Sequence, residues 1–331
     1  MKKVSWAVFV VVIGAAVGLM ILRKQQSETI SAGSGPAQIT IAVIPKGTTH
    51  SYWQSVHAGA EQAGVDLGVH ILYKGPVEED DRAGQIAVVE QFVADNVNGI
   101  VLAPLDNVAL VPAVQAAMAK KIPVVIIDSA LTGDAGKDFV CYVGTDNRLA
   151  GKMGGEELAR VLGGKGKYLL LRYAEGSAST TDREQGFLDA MAENPGMKPE
   201  MATFLYGGTS VSEATKTALN LLDDVRNADG IFCPNESTTI GMLNVLEQNH
   251  LTGKVHFVGF DATPPLVAAL KAGEIDALVS QNPIKMGYQG VKTCLEAIKG
   301  SPEQPIQDSG VQLINRDNLN SPEVQKLLSG G

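Results

Sequence analysis

Cysteine is scarce in this chain of 331 residues. Its three thiols, Cys141, Cys233 and Cys294, are far apart and odd in number, which argues against a disulfide framework and for small buried hydrophobes. No metal-binding spacing involves them, and the five histidines form no His-Glu-x-x-His pair. The first strand-like run, ending at Ile44-Pro45, is followed by Lys46-Gly47-Thr48-Thr49-His50 where a dinucleotide site would carry Gly-x-Gly-x-x-Gly. A Walker loop and a Gly-x-Ser-x-Gly elbow are absent as well, so phosphoryl-transfer and serine-hydrolase readings lack a motif. Excess positive charge is also missing. The net charge of −9 argues against nonspecific binding to nucleic acid. A transcription regulator would need a helix-turn-helix of roughly 50–60 residues ahead of a ligand domain, and none is visible.

What is present is an ordinary globular composition, 45% hydrophobic and 19% charged, on a chain long enough for two α/β lobes. The amino terminus differs in kind. Lys2 and Lys3 precede an apolar run from Val4 to Leu22, and Arg23-Lys24 follow it. That pattern reads as an export signal or a membrane anchor, and its length of about 19 residues favours an uncleaved anchor over a cleaved signal. No cysteine follows for lipid attachment. Residues 1–24 are therefore expected to be a signal or anchor, and 25–37, with Gly33, Gly35 and Pro36, a flexible tether.

From Ile39 onward, short apolar runs alternate with segments of helical period. Strands are expected near 39–45, 69–73, 99–103, 123–127, 139–143, 167–171, 201–206, 229–233, 255–259, 276–280 and 310–314. Helices are expected at 51–67, 82–95, 108–119, 146–162, 179–193, 210–224, 235–248 and 283–299. Such alternation implies parallel sheets covered by helices on both faces, and this many strands divide better into two doubly wound lobes than into one sheet. The first passage between lobes is expected near Cys141–Asp146.

In open α/β sheets ligands sit beyond the carboxyl ends of the strands. The residues found there are Lys46, Thr49 and His50, then Asp128-Ser129, Asp182-Arg183, Asn235-Glu236, Asp261 and Gln281-Asn282. Tyr52 and Trp53 open the helix after the first of these loops. Carboxylates, amides, a guanidinium and aromatic rings together suit a sugar, whose hydroxyls both donate and accept and whose ring has an apolar face. Each residue also has a plain structural role open to it: Asp146, Ser210 and Asn235 stand where helix N-caps belong. The acidic run from Glu78 to Asp81 reads as a solvated helix start.

The segments IAVIP…SYWQSVHAGAEQAG, PVVIID, VGTDNRLAGKMGGEEL, DREQGF, GIFCPNESTTIGML, FVGFDATP and ALVSQNPIKMGYQG, in that order, resemble the periplasmic sugar-binding proteins of ABC importers, of the ribose-binding type. These share their fold with the ligand domains of LacI-type repressors. The resemblance implies a type I periplasmic binding protein fold, with two lobes joined by three crossovers and closing on the ligand about a hinge. Its lobes would be 38–144 plus 282–310 and 145–281 plus 311–331. It further implies no catalysis, no cofactor and no metal, a monomer, and as partners a sugar ligand and an ABC permease or a membrane sensor. Carried over residue by residue, Tyr52 and Trp53 would stack on the sugar ring, while Asp128, Arg183, Asn235, Asp261 and Gln281 would bond its oxygens. His50 stands where that pattern has asparagine and Ser129 where it has arginine, which puts ribose itself in doubt. A second resemblance, to the autoinducer-2 receptor branch, lies in the start IPK, in Gly75-Pro76-Val77-Glu78 through Gly84-Gln85 and in Ile127-Asp128-Ser129, and it implies ligand roles for Lys46, Asp128 and Asp182. Sugar ranks first and autoinducer-2 second.

Overall fold

The computed structural model describes residues 38–200, 205–301 and 304–329. The expected anchor and tether lie outside the described residues. The first six-stranded sheet contains β1 (Thr40–Ile44), β2 (His70–Tyr73), β3 (Gly99–Leu102), β4 (Val124–Ile127), β5 (Cys141–Gly144) and β11 (Ile306–Asp308). Its order is β11-β5-β4-β3-β1-β2, and every neighbouring pair is parallel. The second contains β6 (Lys165–Leu170), β7 (Gly196–Pro199), β8 (Gly230–Phe232), β9 (His256–Phe260), β10 (Ala277–Gln281) and β12 (Val311–Asn315). Here the order is β12-β10-β9-β8-β6-β7, with β12 alone antiparallel to its neighbour.

Helices cover both faces of each sheet. They are α1 (Ser51–Leu67), α2 (Arg82–Ala94), α3 (Val111–Ala119), α4 (Asn147–Val161), α5 (Ala178–Glu193), α6 (Val211–Asn220), α7 (Leu222–Asn227), α8 (Glu236–Gln248), α9 (Pro264–Ala272), α10 (Pro283–Ile298) and α11 (Pro322–Leu328). Alternate strand residues supply two separate cores, because successive side chains point to opposite faces. Ile41, Val43, Val101, Val125 and Ile127 pack with Val56 and Ala60 of α1 and Val291 of α10. Ala42, Ile44, Ile100, Leu102, Val124 and Ile126 pack with Val89 and Phe92 of α2 and Val114 of α3. With both faces covered, β3 and β4 are buried at every position, as continuous apolar strands of parallel sheets are. Burying each such Ile or Val is worth about 1.5–3 kcal/mol. α1 and α10 lie almost backbone to backbone. A Cβ on Gly59 would stand 2.0 Å from the carbonyl oxygen of Ile284, and one on Gly287 would stand 2.1 Å from that of Val56.

The chain passes between the sheets after β5, after β10 and between β11 and β12. These passages are tied to one another: the Thr145 hydroxyl donates to Gln281 Oε1 at 3.1 Å and lies 3.4 Å from Ser309 Oγ. Lys285 Nζ donates to the Ser309 carbonyl at 3.2 Å.

Several elements depart from expectation. The strand expected at 201–206 falls mainly outside the described residues, and β7 at the sheet edge is instead Gly196–Pro199. Its glycine and proline hide it from propensity, and an exposed edge is where a sheet tolerates proline. β11 is three residues long and mostly exposed, so it lacks an apolar run. The helix expected over 210–224 divides at Leu221 into α6 and α7. The N-caps are as expected: Asp146, Ser210 and Asn235 accept from Leu149, Glu213 and Thr238 respectively. The three cysteines are buried and in no disulfide.

Candidate ligand cleft

Pro45 ends β1, and the loop it opens turns Lys46 into the space between the sheets. Lys46 Nζ lies 2.9 Å from Asp128 Oδ2, with both side chains 5% exposed. It also donates to Ser179 Oγ at 3.1 Å and Ser177 Oγ at 3.4 Å, both on the far side of the cleft. Tyr52 and Trp53 form the first turn of α1, edge to face at 4.9 Å. Tyr52 OH donates to Asp128 Oδ1 at 2.9 Å, and its pKa is raised well above 10.0 by burial and by the Asp128 charge. Trp53 Nε1 donates to Glu79 Oε1 at 2.6 Å. Both rings also complete the core beneath them.

Glu79 corrects the expectation of a solvated acidic run. Asp81 does cap α2, accepting from Gly84, but the Glu79 side chain is only 7% exposed and faces the cleft. It receives Trp53, His50 Nδ1 at 2.7 Å and the hydroxyl of Tyr173. Burial opposes its ionisation, yet the His50 hydrogen bond and charge, with Lys46 and Tyr173, hold its pKa below 4.5. Burial likewise opposes charge on His50, and Glu79 outweighs it and raises the imidazole above 6.5.

The opposite wall is a network around Arg183, which α5 delivers and which is 2% exposed. Its Nε donates to Asn147 Oδ1 at 2.7 Å, Nη1 to the Pro234 carbonyl at 3.0 Å and Nη2 to Gln281 Oε1 at 2.8 Å. The guanidinium lies 4.0 Å above the Phe260 ring, a cation–π contact. Gln281 Nε2 passes the network on to Asp261 Oδ1 at 2.8 Å, and the Glu236 backbone N–H donates to Asp261 Oδ2 at 3.0 Å. Burial pushes the Asp261 pKa up to about 6, against the pull of Arg183. Glu236, the first residue of α8, reaches across the cleft. Its carboxylate accepts from the backbone N–H groups of Ser51 at 3.3 Å and Tyr52 at 3.0 Å, at the amino terminus of α1, where negative charge is favoured. Burial raises its pKa above 4.5.

These groups line one cavity of about 30 Å³, room for a few water molecules. Of the sequence candidates, Lys46, His50, Tyr52, Trp53, Asp128, Arg183, Asn235, Asp261 and Gln281 line it. Asn235 does so while its side chain is engaged in capping, accepting from Thr238 N at 3.3 Å and Thr238 Oγ1 at 2.6 Å. Two candidates are not brought there. Ser129 is buried but does not line the cavity, its hydroxyl accepting from Ser179 N at 3.1 Å across the cleft. Asp182 is exposed on α5, because the helical turn that aims Arg183 inward aims its neighbour outward. Glu79, Tyr173, Ser179 and Thr180 line the cavity without being among the candidates, and so does Glu236, which stands among the strand-end residues but to which no ligand role is given. Tyr173 and Glu236 stand just past β6 and β8, where the strand-end rule points. Glu79 carries no such signal, since it comes from the loop between β2 and α2. Among the described residues no cluster of His, Cys, Asp and Glu is arranged to hold a metal ion.

Both fixed cations are already engaged, Lys46 by Asp128 and Arg183 by three protein acceptors. Four carboxylates share the wall with them, so a ligand anion would enter against uncompensated charge. The lining offers hydrogen-bond donors and acceptors on every side but no unengaged fixed cation.

Residues 41–302 match the family model of the periplasmic binding protein domain. The chain belongs to that family. Among curated relatives of this binding protein, the D-allose-binding periplasmic protein of Escherichia coli K12 is 28% identical over 298 residues, covering 88% of this chain and 92% of the relative. The D-ribose/D-allose-binding protein of Pseudomonas aeruginosa is 28% identical over 285 residues, 84% of this chain and 88% of that one. Among solved structures, the ABC transporter solute-binding protein of Agrobacterium vitis with bound D-fucose is 34% identical, covers 87% of this chain and 99% of its own, and superposes with a TM-score of 0.84. A carbohydrate transporter solute-binding protein of Agrobacterium radiobacter in complex with D-arabinose is 31% identical, covers 89% and 100%, and gives a TM-score of 0.81. The two sheets and their strand order are thus those of a type I periplasmic binding protein.

Proposed function

We propose that this chain is an extracytoplasmic solute-binding protein that captures a neutral monosaccharide or related polyol between its lobes and delivers it to an ABC importer. One observation carries the reading. Arg183, Gln281 and Asp261 form a continuous donor–acceptor chain on one wall, facing Tyr52, Asp128 and Lys46 on the other. Sugar hydroxyls can insert into such a chain without leaving a buried partner unsatisfied. The relatives support it, since they are named for allose and ribose or were solved with fucose and arabinose. Those relatives are binding proteins, and ligand capture without turnover is the reading adopted here. In it, residues 38–144 with 282–310 and 145–281 with 311–331 move as two lobes about the passages near Thr145, Gln281 and Ser309. The amino-terminal segment would export the protein across the cytoplasmic membrane or tether it there, and the same fold can serve a sugar-sensing receptor.

Autoinducer-2 ranks lower, because that resemblance implies ligand roles for Lys46 and two aspartates, and Asp182 is exposed outside the cavity. Titration calorimetry against pentoses, hexoses, inositols, autoinducer-2 and two anions, a uronate and a hexose phosphate, tests the proposal. Binding is expected for a neutral sugar or polyol and not for the anions. Tight binding of an anion, or chemical turnover of a bound sugar, would overturn it.

A further inference from the structure

We propose that Glu79 is the latch of the cleft, the positioning residue that links closure of the lobes to assembly of the aromatic wall; this rests on the sugar-binding reading above. The residue sits on a loop, yet that loop is fixed in place. Thr48 N donates to the Val77 carbonyl at 3.3 Å, and Gly47 approaches so closely that a Cβ there would stand 2.8 Å from Glu79 Cγ. Within its own lobe, the carboxylate takes His50 and Trp53 on Oε1. Its second oxygen takes the hydroxyl of Tyr173, which follows β6 in the other sheet and is 3% exposed. One buried charge therefore holds the indole, the imidazole and a phenol from across the cleft.

The physical consequence is directional. A carboxylate with charge-assisted donors on both oxygens is satisfied out of water, whereas losing one donor leaves a buried charge partly uncompensated. Parting the lobes withdraws Tyr173 from Oε2 and leaves Oε1 with its two donors. Glu79 thus favours the closed arrangement, and in that arrangement Trp53 and His50 are held where a ligand ring would meet them. Other contacts across the cleft, such as Lys46 to Ser177 and Ser179, Ser129 to Ser179 and Glu236 to the Ser51 and Tyr52 N–H groups, grip neighbouring parts of the wall but do not orient the indole.

Tyr173→Phe removes the hydroxyl that bonds Glu79 from across the cleft, and Glu79→Gln removes the charge while keeping the size. The full chain carries two tryptophans, so a Trp6→Phe background leaves Trp53 as the fluorescent reporter. The probe is the monosaccharide that binds the wild-type protein in calorimetry, followed by stopped-flow fluorescence. Each variant is expected to bind it about tenfold to a hundredfold more weakly, mainly through faster dissociation. The double variant should be little worse than Glu79→Gln alone, because Glu79→Gln already weakens the bond that Tyr173→Phe removes. Wild-type dissociation from Tyr173→Phe, or additive losses in the double variant, would overturn the latch. If Tyr173→Phe does not fold, Glu79→Gln decides by the same rates. Sugars that bind the wild type with unaltered rates in the variants sink the latch alone, whereas a wild type that binds no sugar sinks the reading beneath it and the latch together.

Discussion

Asp128 and Asp261 occupy corresponding places in the two sheets and share an uncommon backbone. Each directly follows a central strand, β4 or β9, and each has positive φ, 63° and 67°. Each N–H still bonds the next strand of its sheet, Asp128 to the Val143 carbonyl at 3.1 Å and Asp261 to that of Val279 at 2.8 Å. The strand thus ends in a left-handed residue that swings its carboxylate off the sheet edge into the cleft. Left-handed backbone is tolerated by Asp and Asn and costs other residues about 1–2 kcal/mol.

The first prediction separates charge from backbone at Asp261. Asp261→Asn keeps the tolerance for positive φ and one acceptor oxygen but loses the ionised partner of Gln281 and of the Glu236 N–H. Ligand affinity is expected to fall by about 1.5–3 kcal/mol, the worth of a hydrogen bond to a charged group. Stability in urea at about pH 4, where burial keeps Asp261 protonated, should change by less than about 1 kcal/mol. Asp261→Ala should lose the same affinity and a further ~1–2 kcal/mol of stability from its backbone. Equal stability of the two variants would show that φ carries no cost at this position.

The second concerns pH. Asp261 has its folded pKa raised from 3.8 to about 6, so its contribution to stability is present below 3.8 and lost as pH rises to about 6. His50 is raised above 6.5, so its contribution is present below 6.5 and lost as pH climbs through its folded value. Glu79 is depressed below 4.5, so its contribution is present above 4.5 and lost as pH falls through the lower folded value. The His50–Glu79 pair is therefore strongest between 4.5 and 6.5. Urea midpoints from about pH 4 to about pH 8 should show a loss on the alkaline side that His50→Gln abolishes. Asp261→Asn should abolish the separate loss that occurs as pH rises toward about 6. Unchanged profiles in both variants would place the titration elsewhere.

How much of this was legible in the sequence follows from how each residue is delivered. Asp128, Asp261 and Gln281 stand at or just past strands whose apolar runs announce them, and topology does the rest; Arg183 comes from within α5, reached from β6 through a small-residue loop. Tyr52 and Trp53 were legible for the same reason. Asp182 misled because strand-end reading ignores helical phase: one residue of rotation, about 100°, parts it from Arg183. Ser129 misled because the Ser179 N–H from across the cleft takes up its hydroxyl, which does not line the cavity. Glu79 was illegible for a different reason. Its burial depends on a loop folding back over Gly47 and on a phenol from the other lobe, neither of which leaves a local pattern. The edge strands β7 and β11 escaped because short exposed strands need no apolar run.

The last prediction tests whether helix packing behind the cleft sets the position of Arg183. α4 and α5 touch through glycines: a Cβ on Gly151 would stand 1.8 Å from the Arg183 carbonyl oxygen, and one on Gly186 would stand 2.0 Å from that of Arg148. Backbone cannot yield as a flexible side chain can, so Gly151→Ala must push the helices apart. Overpacking of this kind costs about 1–3 kcal/mol. Because the displaced atom belongs to Arg183 itself, its guanidinium should lose register with Gln281 and Asn147, and affinity for the sugar should fall together with stability. Gly163→Ala is the control. Gly163 has φ 65° and open space around its would-be Cβ, so alanine there costs about 1–2 kcal/mol of backbone strain far from the network. Urea denaturation should rank the two variants as similarly destabilised, while calorimetry should find ligand affinity reduced in Gly151→Ala and intact in Gly163→Ala. Intact affinity in both would mean that Arg183 is held by its hydrogen bonds regardless of where α4 and α5 meet.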